Sequence, residues 1–133
     1  MKNVVITDYS FEDLSIEKEI FDKNGINLFS EKNPTKNELK ILTQNADYII
    51  TQFAKLDTDI IDNLIKAKII VRYGVGYDNV DIKTARSKKI PVCNVPDYCV
   101  DEVADHTLAF ILNLFHFHKI FLLLWINHWN YNL

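Results

Sequence analysis

The sequence predicts an α/β protein built on a doubly wound, parallel five-stranded sheet and followed by a long C-terminal helix. Five short apolar runs recur at intervals of about twenty residues, with helical patterns between them. Strands that alternate with helices in this way lie parallel, because each crossover helix returns the chain to the same edge of the sheet. After the fifth run, apolar residues crowd a final stretch of helical character.

The first strand and helix follow from a β-branched run and its polar end. Asn3–Thr7 predicts a buried strand. The next helix is expected to begin at Ser10 or Ser15, whose hydroxyls can accept an early helical N–H, and to stop at Asn24-Gly25. Its apolar positions at near-helical spacing are Leu14, Ile16, Ile20 and Phe21.

Two further pairs of a strand and a helix carry the same signals. Ile26–Phe29 and Tyr48–Gln52 are predicted as the second and third strands. Pro34-Thr35 begins the second helix and Thr58 begins the third. The inner face of the second helix is predicted to carry Leu39, Ile41 and Leu42, and the third helix runs through Ile60, Ile61, Leu64 and Ile65.

The last two predicted strands enclose a short helix. Lys68–Val71 is the fourth strand, and Asp81 caps a helix that runs through Ala85–Lys88. Ile90–Val95 is the fifth strand. Pro91 is tolerated there, because a residue without a backbone N–H fits near the start of a strand or on an edge strand.

Residues 99–128 form the longest helical pattern. Between Leu108 and Trp129, apolar residues occupy almost all faces, which is typical of a helix buried between domains or subunits. A membrane span is the less favoured alternative, because polar residues interrupt the run before about eighteen apolar residues accumulate. We therefore predict one domain over residues 1–98 and an interdomain-type helix over residues 99–133.

Length and composition indicate one domain in a reducing compartment. The chain has 133 residues, of which 48% are apolar, and its net charge of −3 gives no reason to expect a nucleic-acid partner. The N-terminus has no signal-peptide pattern, and Cys93 and Cys99 do not make a disulfide framework, so a cytoplasmic protein is predicted. Cys93, within the fifth strand, is expected to be a small buried hydrophobe.

The most distinctive stretch, Arg72–Asp81, follows the fourth strand directly. Gly74 and Gly76 allow the backbone to approach a ligand closely, and successive N–H groups in such a turn can receive an anion. Arg72 adds a planar donor fork that matches a carboxylate. We call Arg72–Gly76 the anion seat. The alternative is a tight turn whose glycines only relieve strain and whose arginine forms a surface ion pair.

The predicted topology favours a ligand site at the seat. In parallel α/β sheets, ligands bind outside the carboxyl ends of the strands. The polar or glycine-rich residues expected at those ends are Asp8-Tyr9, Gln52-Phe53, Arg72–Gly76 and Asn94–Tyr98.

Two other classes of site are disfavoured. A phosphoacceptor receiver domain shares this architecture but requires an acidic pair after strand one and an aspartate after strand three, whereas Asp8 stands alone and strand three ends in Thr51-Gln52. With only Gly25, Gly74 and Gly76, the chain holds neither a Gly-x-Gly-x-x-Gly dinucleotide motif nor a P-loop.

Three motifs stand in a recognisable order and spacing: Arg72-Tyr-Gly-Val-Gly-Tyr-Asp-Asn-Val-Asp81, Ile90-Pro-Val-Cys-Asn-Val-Pro96 and Glu102-Val-Ala-Asp-His-Thr107. They resemble the D-isomer-specific 2-hydroxyacid dehydrogenases, nearest to the branch with phosphoglycerate dehydrogenase and the C-terminal-binding-protein corepressors. The resemblance runs from the first strand to about Leu114. It implies a flavodoxin-like substrate domain, a small 2-hydroxy or 2-oxo acid as substrate, and NAD as cofactor.

The resemblance also implies roles for particular residues. Arg72 and the backbone of Gly74-Val75-Gly76 would face the substrate carboxylate, with Val75 also near the nicotinamide end of the cofactor. Gln52 and Phe53 would line the other side of the substrate cleft, and Thr107 would touch the cofactor.

The family's Rossmann cofactor domain and its catalytic arginine, glutamate and histidine set have no counterpart in these 133 residues. We therefore assign no catalytic residue and expect a truncated segment that is inactive alone. His116 and His118 lie two apart on a helix and point to different faces, so no metal site is predicted. Two alternatives stay open: a non-catalytic module that forms a homodimer or docks on a partner through Leu108–Trp129, and a fragment without function.

Overall fold

The computed structural model describes the backbone of residues 1–130 and the side chains of residues 1–120. The chain divides into two compact units, Met1–Pro96 and Asp97–Leu133. The assignment of residues 1–98 to a substrate-binding domain and of residues 99–133 to an interdomain-type helix stays a prediction.

The first unit contains the predicted parallel sheet. Its strands are β1 (Lys2–Ile6), β2 (Ile26–Ser30), β3 (Tyr48–Thr51), β4 (Ile69–Arg72) and β5 (Val92–Cys93), in the order β2-β1-β3-β4-β5. Every neighbouring pair is parallel. The predicted fold class is therefore confirmed. The strand order also reverses its direction between β1 and β3, which is where open α/β sheets form a crevice.

Four helices connect these strands: α1 (Ser15–Lys23), α2 (Lys36–Gln44), α3 (Thr58–Asp62) and α4 (Ile82–Ser87). The side chains of Thr35, Asp57 and Asp81 each accept a hydrogen bond from a backbone N–H in the first turn of the helix that follows. The serine cap predicted for α1 is wrong. Leu14 precedes this helix without any side-chain cap.

The core lies between the sheet and α2, α3 and α4. Its fully buried large residues include Ile6, Ile49, Leu56, Ile60, Ile61 and Ile70. Leu39 and Thr43 are the buried residues of α2. Ile41 is 77% exposed, because a residue two positions from Leu39 lies about 200° round the helix. The prediction that Ile41 faces inward is therefore wrong.

Three other apolar positions of the predicted helical patterns are exposed: Ile16, Ile20 and Ile65. Helix α1 has no buried residue, so the apolar pair Ile16 and Ile20 lies on its solvent face. Helix α3 ends at Asp62, so the helical spacing that would place Ile65 inside does not continue that far.

Strand β5 is shorter than the predicted Ile90–Val95 and lies at one edge of the sheet. Cys93 is exposed and lines an open groove of about 590 Å³ beside this strand. The prediction of a buried cysteine is therefore wrong, because an edge strand has only one neighbour to cover it.

The second unit contains helix α5 (Val100–Asn130), which confirms the predicted long helix. The described part of α5 exposes large apolar side chains all along its length, and Phe110, Leu114 and Phe117 are among the most exposed. The predicted apolar side chains at 121–129 lie outside the described residues. Over residues 1–130, no helix combines the length and hydropathy that a membrane crossing requires.

Candidate functional site

The carboxyl ends of β1, β3 and β4 bring the predicted binding residues of the first unit together. Thr51 and Arg72 are paired in register at the ends of adjacent strands. The backbone N–H of Tyr73 donates to the Thr51 carbonyl over 2.8 Å. The loops that begin at Gln52 and at Tyr73 therefore leave the sheet side by side.

Two features favour glycine at position 74: the backbone conformation there and the position of the Arg72 side chain. Its φ angle is +136°, a value that side chains with a Cβ rarely adopt. A Cβ built at this position would lie 1.7 Å from Nη1 and 2.9 Å from Cζ of Arg72. The guanidinium group is thus packed directly onto the Gly74 backbone, and any side chain at this position would displace it.

The guanidinium of Arg72 lies between this backbone and an aromatic ring. Its Cζ lies 6.0 Å from the ring centroid of Phe53, within the range of a cation–π contact. Among the described residues, Arg72 has no acidic partner, and its buried Nε has no hydrogen-bond acceptor. A guanidinium without a carboxylate partner among the described residues suits an anion, because its planar donor fork matches a carboxylate. The surface ion pair considered as an alternative is absent from the described part of the chain.

The rest of the anion seat is held from both sides. The Val75 carbonyl accepts a hydrogen bond from Asn94 Nδ2 over 2.7 Å, and the Gly74 carbonyl accepts from Val95 N over 3.0 Å. Asn79 Nδ2 donates to the Ala54 carbonyl over 3.0 Å, which ties the end of the turn to the loop after β3. The seat is therefore braced by β5 and by its neighbouring loop.

Gln52 lies at the cleft but is engaged by the loop after β1. Its Oε1 accepts a hydrogen bond from Ser10 N over 2.6 Å, and its Nε2 donates to Ser10 Oγ over 3.0 Å. Gln52 is only 8% exposed, whereas Phe53 is 65% exposed. Phe53 is therefore exposed at this edge of the sheet, while Gln52 ties the loop after β1 to the end of β3.

Tyr73 closes the side of the cleft next to α1. Its hydroxyl donates to Glu17 Oε1 over 3.0 Å, and its ring meets Phe11 edge-on with centroids 5.5 Å apart. Burial, followed by the hydrogen bond to the Glu17 carboxylate, raises the pKa of Tyr73 well above its usual range. Tyr73 therefore stays protonated and serves as a fixed donor.

Asp8 was expected at the carboxyl end of the first strand but was given no role in the predicted site. It directly follows β1, is 9% exposed, and its carboxylate accepts backbone N–H groups from Gln52 over 3.0 Å and from Phe53 over 2.7 Å. Burial by itself would raise the pKa of Asp8, but the hydrogen bonds from Phe53, Gln52 and Thr7 outweigh it and hold the pKa below its ordinary value. Its sequence signal is an isolated acidic residue at the end of a buried strand.

Thr107 lies in α5, in the second unit. Its Oγ1 donates to the Val103 carbonyl of the preceding turn over 2.7 Å. This bond satisfies the hydroxyl as a donor but leaves its oxygen able to accept a hydrogen bond. A contact between Thr107 and a cofactor stays a prediction.

The residues at the carboxyl edge combine a positive charge, unpaired among the described residues, with an apolar side chain. Arg72 supplies positive charge that no described carboxylate neutralises, and the missing Cβ of Gly74 makes room for its guanidinium. Phe53 supplies an apolar wall. Such an arrangement is chemically suited to bind and orient an organic acid.

Comparisons with known proteins agree with this chemistry. The sequence model of the family described as D-isomer specific 2-hydroxyacid dehydrogenase, catalytic domain, matches residues 4–128. A glyoxylate reductase of Pyrococcus furiosus is 29% identical over 101 residues, a match that covers 68% of this chain and 30% of the reductase.

Solved structures match in the same way. The NAD+-bound 3-phosphoglycerate dehydrogenase of Entamoeba histolytica is 37% identical with a TM-score of 0.65, and the match covers 72% of this chain and 33% of that one. The D-lactate dehydrogenase of Aquifex aeolicus, in complex with NAD and lactic acid, is 26% identical with a TM-score of 0.73, over 84% of this chain and 33% of that one. The chain thus spans about a third of the length of these relatives. Because the family model matches nearly all of the sequence, the chain belongs to the D-isomer specific 2-hydroxyacid dehydrogenase family.

Proposed function

We propose that this chain is the substrate-binding part of an NAD-dependent oxidoreductase that acts on the CH–OH group of D-2-hydroxyacids. Arg72 and the backbone of Gly74, Val75 and Gly76 bind the substrate carboxylate. The observation that carries the proposal is the Arg72 guanidinium, which is packed on Gly74 and has no carboxylate partner among the described residues. Phe53 forms the apolar wall of the cleft, and Gln52 holds that wall in place.

The anion seat would act by orientation. A carboxylate held at Arg72 fixes the direction of the adjacent carbon, which is the atom that exchanges hydride with a nicotinamide. NAD, when bound, supplies that hydride chemistry, and Val75 and Thr107 are the residues of this chain proposed to face it. The pyrophosphate would need another segment, because the three glycines of this chain do not form a dinucleotide fingerprint.

A polypeptide of these 133 residues alone is expected to bind the acid without turning it over. Its first unit, Met1–Pro96, contains the seat but no histidine, and the carboxylates of Asp8 and Glu17 are engaged by backbone N–H groups and by Tyr73. Its proposed setting is the reducing cytoplasm, which suits the free thiols of Cys93 and Cys99.

Oxalate, a stable dianion that resembles a 2-oxo acid, is a suitable probe of the seat. We expect oxalate at a hundred times its Kd to stabilise the folded chain by about 2.7 kcal/mol, which thermal unfolding and calorimetric titration would detect. Arg72→Ala should weaken binding by about 10- to 100-fold, because a hydrogen bond to a charged group contributes about 1.5–3 kcal/mol.

Arg86→Ala is the matched control for this titration. Arg86 is the other arginine of the chain and lies exposed on α4, so its removal subtracts the same charge away from the seat. Equal loss of oxalate binding in the two variants would mean that the chain attracts anions through its overall charge. That result would refute the proposal that oxalate binds at the anion seat. Absence of any oxalate response in the unmodified chain would refute it too.

Helix α5 favours a second candidate function, that of a homodimerisation module. Phe110, Leu114 and Phe117 are exposed and share one face of the helix. If α5 pairs with a second copy through this face, Leu114→Glu should shift the mass measured by light scattering from dimer to monomer. Leu112→Glu makes the same substitution at an exposed position on the opposite face of the helix and should leave the dimer intact. A monomeric parent chain would rule out this candidate.

A further inference from the structure

We infer that Asp8 is a positioning residue for the anion seat: its carboxylate fixes the backbone of Gln52 and Phe53, and Phe53 in turn holds the guanidinium of Arg72. This inference rests on the proposed function, since it concerns the same seat. It adds Asp8, which lies at the end of a different strand and does not itself touch the proposed position of the substrate.

The contacts of Asp8 are directed at one short segment. Oδ1 accepts hydrogen bonds from Gln52 N over 3.0 Å and from the hydroxyls of Thr7 and Thr51 over 2.8 and 3.4 Å. Oδ2 accepts from Phe53 N over 2.7 Å. An ionised carboxylate can accept four or so such bonds, whereas an amide or a hydroxyl in its place cannot. Asp8 therefore orders the point at which the chain leaves β3.

This segment is connected to the seat by direct contacts. The backbone that Asp8 holds carries the Phe53 side chain, whose ring lies 6.0 Å from Arg72 Cζ. The other side of the same guanidinium lies against the Gly74 backbone. A displacement of Phe53 would release the guanidinium from one of the two surfaces that confine it, so the effect of Asp8 should reach the seat through Phe53.

Asp47 is a matched control, because it is also a buried carboxylate that accepts a backbone N–H hydrogen bond, but it lies at the opposite end of the sheet. Asp47 is 7% exposed, accepts a hydrogen bond from Asn3 N over 2.8 Å and pairs with Lys66 over 3.1 Å. It precedes β3, whereas Asp8 follows β1, and the strands are parallel. Loss of a buried carboxylate as such would affect both positions, whereas a positioning role would affect only Asp8.

The test compares Asp8→Asn with Asp47→Asn in the complete 133-residue chain. The asparagine amide can replace only one carboxylate oxygen, so either Gln52 N or Phe53 N loses its acceptor. We expect Asp8→Asn to weaken oxalate binding about tenfold or more. Asp47→Asn should lower the melting temperature but leave the oxalate Kd within about twofold. Equal oxalate affinities in the two folded variants would overturn the inference.

A second measurement tests the positioning role of Asp8 in the absence of any ligand. In amide NMR spectra, Asp8→Asn should shift or broaden the signals of Gly74, Val75 and Gly76, and Asp47→Asn should leave them in place. If the unmodified chain does not bind oxalate, the proposed function fails, and these amide signals alone decide the role of Asp8. Unchanged seat signals in Asp8→Asn would overturn it.

Phe53→Leu keeps the inference testable if Asp8→Asn does not fold. Phe53 is largely exposed, so its replacement does not remove core packing. The variant should weaken oxalate binding and shift the Gly74 amide signal, because it removes the ring beside the guanidinium. If Phe53→Leu leaves both the affinity and the signal unchanged, the connection from Asp8 to Arg72 is refuted.

Discussion

Replacing Gly74 with alanine is expected to abolish the oxalate response and to lower the free energy of unfolding by about 3 kcal/mol. The strained backbone conformation would cost about 1–3 kcal/mol at a φ of +136°. The new methyl group would also overlap the guanidinium of Arg72, whose Nη1 would lie 1.7 Å away. Arg72 must then leave the position in which it faces a carboxylate. Chemical denaturation and oxalate titration measure the two effects separately.

Gly25→Ala is the control for backbone strain alone. Gly25 has a φ of +66°, and a Cβ at this position would meet no atom within 4 Å. Its replacement should cost about 1 kcal/mol of stability and leave the affinity for oxalate unchanged. If Gly74→Ala binds oxalate as the parent chain does, the contact between Arg72 and Gly74 has no part in binding and the proposed seat is wrong.

The fold could be predicted because its signals are local and repeated. Each strand is a short β-branched run, and the capping residues Thr35 and Asp81 stand directly before the helices that they cap. The parallel order then follows from the alternation of strands and helices. The site was predictable in part for the same reason, since Arg72 and Gly74 are neighbours in sequence as well as in space.

The features that sequence reasoning missed depend on contacts between distant segments. Asp8 and Phe53 are 45 residues apart, and nothing in either segment indicates the hydrogen bond between them. Ile41 has an apolar side chain beside a buried leucine, yet the helix turns it towards solvent. Cys93 alternates as a buried residue would, but its strand lies at the edge of the sheet.

Ile61→Ala is expected to lower the free energy of unfolding by about 2–5 kcal/mol, because it removes a fully buried side chain and leaves a cavity. Ile61 lies in α3, which follows the loop that carries Phe53, and Leu56 in that loop forms a β-bridge with Val80 beyond the seat. A domain of this size has about 5–15 kcal/mol of stability in total. The variant should therefore weaken the anion seat only by unfolding the unit that carries it.

The matched variant Ile41→Ala separates the effect of burial from the effect of replacing an isoleucine with an alanine in a helix. It removes the same atoms from α2, but Ile41 is exposed, and alanine favours a helix slightly more than isoleucine does. Its stability should stay within about 0.5 kcal/mol of the parent chain in urea denaturation. Because both variants delete the same side chain from a helix, the difference between them measures the burial of Ile61. A similar loss in both would mean that the inner face of α2 is the one first expected from the sequence, with Ile41 packed against the sheet.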